Sequence, residues 1–110
     1  MDTVTRKRYE AQAGVIKALA HPIRVFLVEQ LAGGPRCVCE LTALAGVDIS
    51  TVSKHLAVLK NAGIVQDERR GTQIFYRLRV SCILNCFQCV GAVLEAVAED
   101  HQAVIHTARS

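Results

Sequence analysis

Tryptophan is absent from the chain and aromatic residues make up only 5% of it, so a core has to be assembled from Val, Leu, Ile and Ala. No apolar run approaches the roughly eighteen residues of a membrane-spanning helix. The opening residues, MDTVTRKRYE, lack the apolar centre of a secretory signal. These absences give the expectation of a cytoplasmic protein without a membrane partner. There is also no alternating βαβ pattern, no Gly-rich phosphate loop in a suitable context and no Ser/His/Asp set. No catalytic residue and no catalytic cofactor is therefore expected, and the chain reads as something other than an enzyme.

What is present suits one small domain. The 110 residues are 51% hydrophobic, enough for a modest core, and residues 1–110 are read as a single unit. A formal charge of +3 and a pI near 8.7 permit nucleic-acid binding without requiring it. The distribution of charge says more. Lys54, Lys60, Arg69, Arg70, Arg77 and Arg79 fall within residues 48–79, whereas the final helix is nearly neutral or acidic. The five cysteines cannot all pair within one chain, and in a reducing compartment they point to metal binding or redox sensing rather than to structural disulfides.

The stretch from Asp48 to Gly63, DISTVSKHLAVLKNAG, reads as one capped amphipathic helix. Asp48 is a suitable N-cap and Gly63 suits the left-handed residue that ends a helix. Val52, Leu56 and Leu59 recur at i, i+4 and i+7, with Val58 and Ala62 widening the stripe. The opposite face carries Ser50, Thr51, Ser53, Lys54, His55 and Asn61, groups able to donate to phosphate oxygens and base edges. A short helix from Val38 to Ala45, closed by Gly46 and Val47, precedes it. Two alternating runs, residues 64–70 and 73–79 around Gly71-Thr72, come after it and read as a β-hairpin. Helix, turn, helix and basic hairpin make a winged helix-turn-helix: an α+β but mostly α fold of about five helices and a two-stranded wing.

At these residues the chain resembles the ArsR/SmtB family of metal- or thiol-responsive repressors, from about Ala18 to about Leu94. Four ordered stretches carry the resemblance: Ala18-Leu19-Ala20-His21-Pro22-Ile23-Arg24, Cys37-Val38-Cys39-Glu40-Leu41, Ser50-Thr51-Val52-Ser53-Lys54-His55-Leu56 and Leu59-Lys60-Asn61-Ala62-Gly63-Ile64-Val65. The resemblance implies a homodimer held by N- and C-terminal helices and double-stranded operator DNA as partner. It also implies a scaffold role for the segment containing His21.

Taken in order, the chain opens with a helix expected over Thr5 to Leu19, with Val15, Ile16 and Leu19 as its apolar side and Arg6-Lys7-Arg8 as a solvated basic start. Pro22 suits the first turn of a second helix, whose stripe is Ile23, Phe26, Leu27 and Leu31, and Gly33-Gly34-Pro35 stops it. Cys37 stands at an N-cap position with Glu40 in the place of a capping-box partner. A thiol at the positive end of a helix dipole has its thiolate stabilised.

In arsenic-sensing relatives a sequence of the Cys37-x-Cys39 form supplies thiolates to trivalent arsenic and antimony, with a third Cys three residues later. Here that position is Thr42. Cys82, Cys86 and Cys89 offer further ligands on a final helix expected over about Ser81 to Ala108, beside a seam of Ile83, Phe87, Val90, Leu94 and Val97 suited to self-association. Cys82 and Cys89 would lie roughly 10 Å apart along an intact helix, too far to share one ion. A third ligand must then come from an unwound turn at Cys82, from Cys37 or Cys39, or from a second subunit. Zinc-sensing relatives carry Asp-x-His and later His pairs, a spacing that Asp100, His101 and His106 do not reproduce.

The expectation is a repressor whose paired recognition helices enter successive major grooves about 34 Å apart. Ser50, Thr51, Ser53, Lys54 and His55 would address the groove and its phosphates, and Arg69, Arg70, Thr72 and Gln73 would form the contacting wing. Release would follow binding of As(III) or Sb(III), or of cadmium, lead or zinc, to Cys37, Cys39, Cys82, Cys86 and Cys89 in some combination. The alternatives are oxidation of a cysteine pair to a disulfide or polysulfide, a thiol oxidoreductase or metal carrier built on Cys37 and Cys39, and an interaction module without DNA binding.

Overall fold

Leu27, Leu31, Leu41, Leu56, Leu59, Val28, Val52 and Val65 are the large side chains withdrawn from solvent, an interior made of aliphatic groups alone. The structure is a computed structural model that describes the backbone of residues 1–109 and the side chains of residues 1–103. His106, the outermost of the residues compared with the zinc-sensing spacing, lies outside the described side chains.

Five helices and three strands succeed one another: α1 (Thr3–Leu19), α2 (Pro22–Gln30), β1 (Arg36–Cys37), α3 (Val38–Ala45), α4 (Ile49–Asn61), β2 (Val65–Arg70), β3 (Gln73–Leu78) and α5 (Ile83–Arg109). A single 3-10 turn, Leu31–Gly33, ends α2. Each boundary has a local cause. Asp2 accepts from the Thr5 N–H at 2.7 Å, so α1 begins two residues earlier than expected. His21 caps α2, its Nδ1 accepting from the Ile23 N–H at 3.1 Å, just ahead of Pro22. Gly46 (φ 69°) closes α3 in the left-handed region, its N–H donating to the Thr42 carbonyl.

α4 forms at the expected position. Asp48 caps it, and Val52, Leu56 and Leu59 are fully buried. Val58 does not join them: it is 37% exposed, because position 58 lies off the stripe set by the other three. The hairpin also has the expected register, Arg70 opposite Gln73 across Gly71-Thr72 and Val65 opposite Leu78. Gly71 takes φ 63° in that two-residue turn.

Three differences from the sequence-based expectation bear on the functional surfaces. The sheet has three strands rather than two, in the order β1-β3-β2, because Arg36 and Cys37 pair antiparallel with Tyr76 and Phe75. The first helix buries only Ala18 and Leu19, leaving Val15 and Ile16 exposed. The expected seam on α5 is split: Ile83 and Phe87, joined by Leu84, pack on the subunit's own core, while Val90, Val93, Leu94 and Val97 stand exposed.

Cys82 lies in the turn that leads into α5, where Ile83, Leu84 and Asn85 donate to carbonyls three residues back. It therefore stands just ahead of the helix that carries Cys86 and Cys89. No single helix among the described residues is long and apolar enough to cross a membrane; α1 with the α2 segment passes such a test only as a pair bent by 85°. The apolar residues of that pair include Leu19, Leu27, Val28 and Leu31, which are core residues here.

Replacing Leu56 by Ala is expected to cost about 2–5 kcal/mol, whereas Val58→Ala should stay within about 1 kcal/mol, as read by urea unfolding. Equal losses at both positions would contradict the burial described.

Candidate nucleic-acid interface and dithiol groove

The capping that starts α4 also engages two of its polar side chains. Ser50 Oγ and Thr51 Oγ1 both donate to the Asp48 carboxylate, the second at 2.6 Å, and the Thr51 N–H adds a bond at 3.2 Å. These donors hold the Asp48 carboxyl down at about 2, the Ser50 hydroxyl contributing most. Ser53 and Lys54, one turn further on, are exposed.

His55 differs from an outward-facing contact. Its ring is half-buried and lies 4.2 Å from the His21 ring, and its Nδ1 accepts from Arg24 Nε at 3.1 Å. Arg24 also donates to the Ala18 carbonyl at 3.1 Å, so one guanidinium ties the end of α1 to the recognition helix. Desolvation, then the nearby charges of His21 and Arg24, push the His55 imidazole below its ordinary value of 6.5. Lys17 shares a shallow groove with Arg24, so the groups facing this corner are cationic or neutral. No local sequence pattern marks this junction, since thirty-one positions separate Arg24 from His55.

On the wing, strand alternation sends Arg69 and Arg70 to opposite faces. Arg70 pairs with Glu68 at 3.2 Å and lies 4.6 Å from the Phe75 ring centroid, which restrains it beside its own strand. Arg69 sits on the face of Ile74 and Tyr76 and is exposed, as are Thr72 and Gln73 at the tip. Lys60 is held by Asp67 at 3.0 Å, which raises its ammonium above the ordinary value.

The five cysteines fall into separate places. Cys37 is buried at the end of β1, and its Sγ caps α3 by accepting from the Glu40 N–H at 3.2 Å. The capping box itself does not form: the Glu40 carboxylate turns instead to Arg36. Cys39 is exposed, with its Sγ 2.7 Å from that of Cys37. The hydrogen bond with Cys37, then desolvation and the Cys37 charge, raise the Cys39 thiol above its ordinary value.

Both sulfurs line a groove of about 380 Å³ together with Val38, Ile49, Ser53, Thr72, Gln73, Ile74 and Tyr76. Gln73 Nε2 lies 3.9 Å from Cys39 Sγ, a weak link between wing and dithiol. Cys86 lines a different groove of about 470 Å³, apolar in character, between α1, α2 and α5. Cys82 and Cys89 are exposed. Among the described residues no three His, Cys, Asp or Glu side chains come close enough to hold a metal ion. The two cysteine sets therefore do not form a joint site within one subunit, and two bonds from Cys37 and Cys39 are what this groove supplies.

A recognition helix packed by one face, a preceding short helix and a hairpin wing beside its N-terminal end define a winged helix-turn-helix domain. The family profile described as bacterial regulatory protein, arsR family, matches residues 21–67. The HTH-type transcriptional repressor SmtB of Mycobacterium tuberculosis is 42% identical over 73 residues, 66% of this chain and 54% of that protein, so the chain spans about half the length of this relative. The biofilm growth-associated repressor of Agrobacterium fabrum is 38% identical over 94 residues, 86% of this chain and 80% of that protein. A homodimeric winged helix-turn-helix DNA-binding domain from Mycobacterium bovis, solved in solution, superposes with a TM-score of 0.71 at 30% identity, over 92% of this chain and 90% of that one. The chain belongs to the arsR family of bacterial regulatory proteins.

Because the fold favours neutral His55, the stability it contributes is complete above the ordinary value of 6.5 and is lost as pH falls through 6.5 toward the lowered folded value. Urea midpoints between pH 7.5 and pH 5 should fall in the native chain and fall less in His55→Gln. The same slope in both would remove His55 from this role.

Proposed function

We propose that the protein is a homodimeric, operator-binding transcriptional repressor of the cytoplasm, released from double-stranded DNA when a soft thiophilic ligand occupies its cysteines. The observation that carries this reading is the placement of the Cys37–Cys39 dithiol in one groove with Ser53 of α4 and Thr72 and Gln73 of the wing. A ligand seated there meets the surfaces that would contact DNA. A coupling of 1–3 kcal/mol between the two sites, a common allosteric range, corresponds to roughly 5 to 150-fold in DNA affinity.

In this reading Ser53 and Lys54 enter the major groove, with Ser50 and Thr51 at the helix start freed from Asp48 or accepting through their lone pairs. His55 acts mainly by holding the helix against Arg24. Arg69, Thr72 and Gln73 serve the wing more directly than Arg70, whose charge is shared with Glu68. The dimer would be built on the exposed Val90, Val93, Leu94 and Val97 of α5 and Ile16 of α1, an apolar surface left uncovered in a single chain. Thiolate ligation selects As(III), Sb(III), Cd(II) or Pb(II), and zinc less readily, over harder ions. Cys82, Cys86 and Cys89 then serve as a second set of ligands, completed across the dimer, or as interface packing.

The 2.7 Å approach of the two sulfurs favours one second reading. Thiol–disulfide exchange with a low-molecular-weight disulfide would oxidise Cys37 and Cys39 to a disulfide and reduce the oxidant to two thiols.

Fluorescence anisotropy of the reduced protein on DNA from its own upstream region tests both. Arsenite or cadmium at near-stoichiometric amounts should release DNA, and Cys39→Ser should abolish release. Release only by a disulfide reagent moves the assignment to redox sensing, and no DNA binding under any condition sinks the repressor. Lys54→Ala and Arg69→Ala should each lower the slope of log affinity against log salt by about 1, since each neutralised phosphate releases counterions. Unchanged slopes would remove these residues from the interface.

A further inference from the structure

One guanidinium holds the turn between α1 and α2 to the recognition helix. Arg24 donates through Nη1 to the Ala18 carbonyl at 3.1 Å, in the last turn of α1, where carbonyls lack a helical partner. Its charge sits at the negative end of that helix. Through Nε it donates to His55 Nδ1 of α4, also at 3.1 Å. No carboxylate among the described residues pairs with it. Ile16 and Leu19, close to Ala18 on α1, line the apolar groove with Phe87, Val90 and Leu94 of α5. Arg24 thus stands between the α1–α5 surface and the helix that would meet DNA.

The direction of these bonds fixes the form of two imidazoles. His55 Nδ1 accepts from Arg24 and His21 Nδ1 accepts from the Ile23 N–H, so each neutral ring carries its hydrogen on Nε2. A proton added to His55 has to go on Nδ1, where it would meet the Arg24 N–H donor against donor. The surroundings offer it no compensation. α1 brings Lys17 to this corner, α2 brings Arg24 and the His21 ring 4.2 Å away, and the neighbour of His55 on α4 is Lys54. Desolvation, then the charges of His21 and Arg24, already hold the His55 imidazole below its ordinary value.

Building on the operator-binding reading, we propose that Arg24 is a positioning residue for DNA binding: it ties α4 to the end of α1 only while His55 is neutral, so that protonation of His55 loosens the recognition helix and lowers DNA affinity. Val52, Leu56 and Leu59 still anchor the helix when the tie is broken. What is lost is the restraint on the flank opposite Ser53 and the wing, since residues 53 and 55 point about 200° apart around the helix axis. A fall in pH is thereby read on the DNA-contacting face without a change at any cysteine.

The test is fluorescence anisotropy of the reduced full chain on duplex DNA from its own upstream region, at fixed ionic strength, at pH 7.5 and pH 5, with the fold checked by circular dichroism at both. Native affinity should fall roughly fivefold to tenfold at the lower pH, the worth of about one hydrogen bond. His55→Asn, whose side-chain oxygen accepts from Arg24 but does not titrate, should match the native affinity at pH 7.5 and keep it at pH 5. Arg24→Lys keeps the charge but cannot serve both acceptors. It should bind at pH 7.5 about as weakly as the native chain does at pH 5, with no further response to pH. His21→Asn keeps a capping oxygen for α2 and should leave the native response in place.

Native affinity that is equal at the two pH values, or that rises as His55 takes up a proton, would overturn the inference. So would the same fall in His55→Asn, or its loss in His21→Asn. A native chain that binds no DNA at pH 7.5 would sink the repressor reading, and nitrogen NMR of the histidine rings separates that failure from this one. A His55 ring carrying its hydrogen on Nδ1 at pH 7.5 would overturn the tie to Arg24 itself.

Discussion

The burial of Val52, Leu56 and Leu59 is the constraint on which the rest of the molecule depends. With three residues of one helix fully withdrawn from water, the rotation of α4 about its own axis is fixed, and Ser53 and Lys54 are left on the outside. The ion pairs Arg6–Glu10, Lys60–Asp67 and Arg70–Glu68 are all solvent-exposed and contribute little to stability by comparison. With no ring larger than a half-buried Phe or Tyr in the core, stability rests on close contact among branched aliphatic side chains, for which shape is demanding. A cavity under α4 would therefore act on the recognition face as well as on the fold.

Cys37 concentrates three roles in one residue. Its extended backbone pairs with Phe75 in the sheet, its Sγ caps α3, and the same Sγ lies against that of Cys39. The wing strand β3 is thus joined on one edge to β2 and on the other to the residue that opens the dithiol. This gives a short physical route between sulfur chemistry and wing position, through the sheet ladder and the Gln73 side chain. The groove beside Cys86 lies apart from this ladder, between α1, α2 and α5.

The helix-turn-helix, its caps and the hairpin were readable because their signals are local. Asp48, Gly46, Gly63 and Gly71 each act within a few residues, and a period of 3.6 or 2 needs only a short window. Val58 and Ile16 show where this fails. Both belong to apolar patterns in the sequence, yet both are exposed, because periodicity says which residues share a face and not how much of that face a neighbour covers. β1 escaped notice because two residues make no pattern, and its pairing with Tyr76 and Phe75 spans about forty positions.

By itself, then, the sequence determined the winged helix-turn-helix, the position of its recognition helix and the presence of two cysteine sets. It did so because capping, turn geometry and amphipathic period are properties of adjacent residues. Tertiary structure alone decided the site. Packing of α2 against α4 turned His55 inward onto Arg24 and His21. The third strand brought Cys37 and Cys39 beside Gln73 and Ile74, and the course of α5 left Cys86 in a different groove. Those outcomes depend on contacts between residues about thirty to seventy positions apart, which no local spacing encodes.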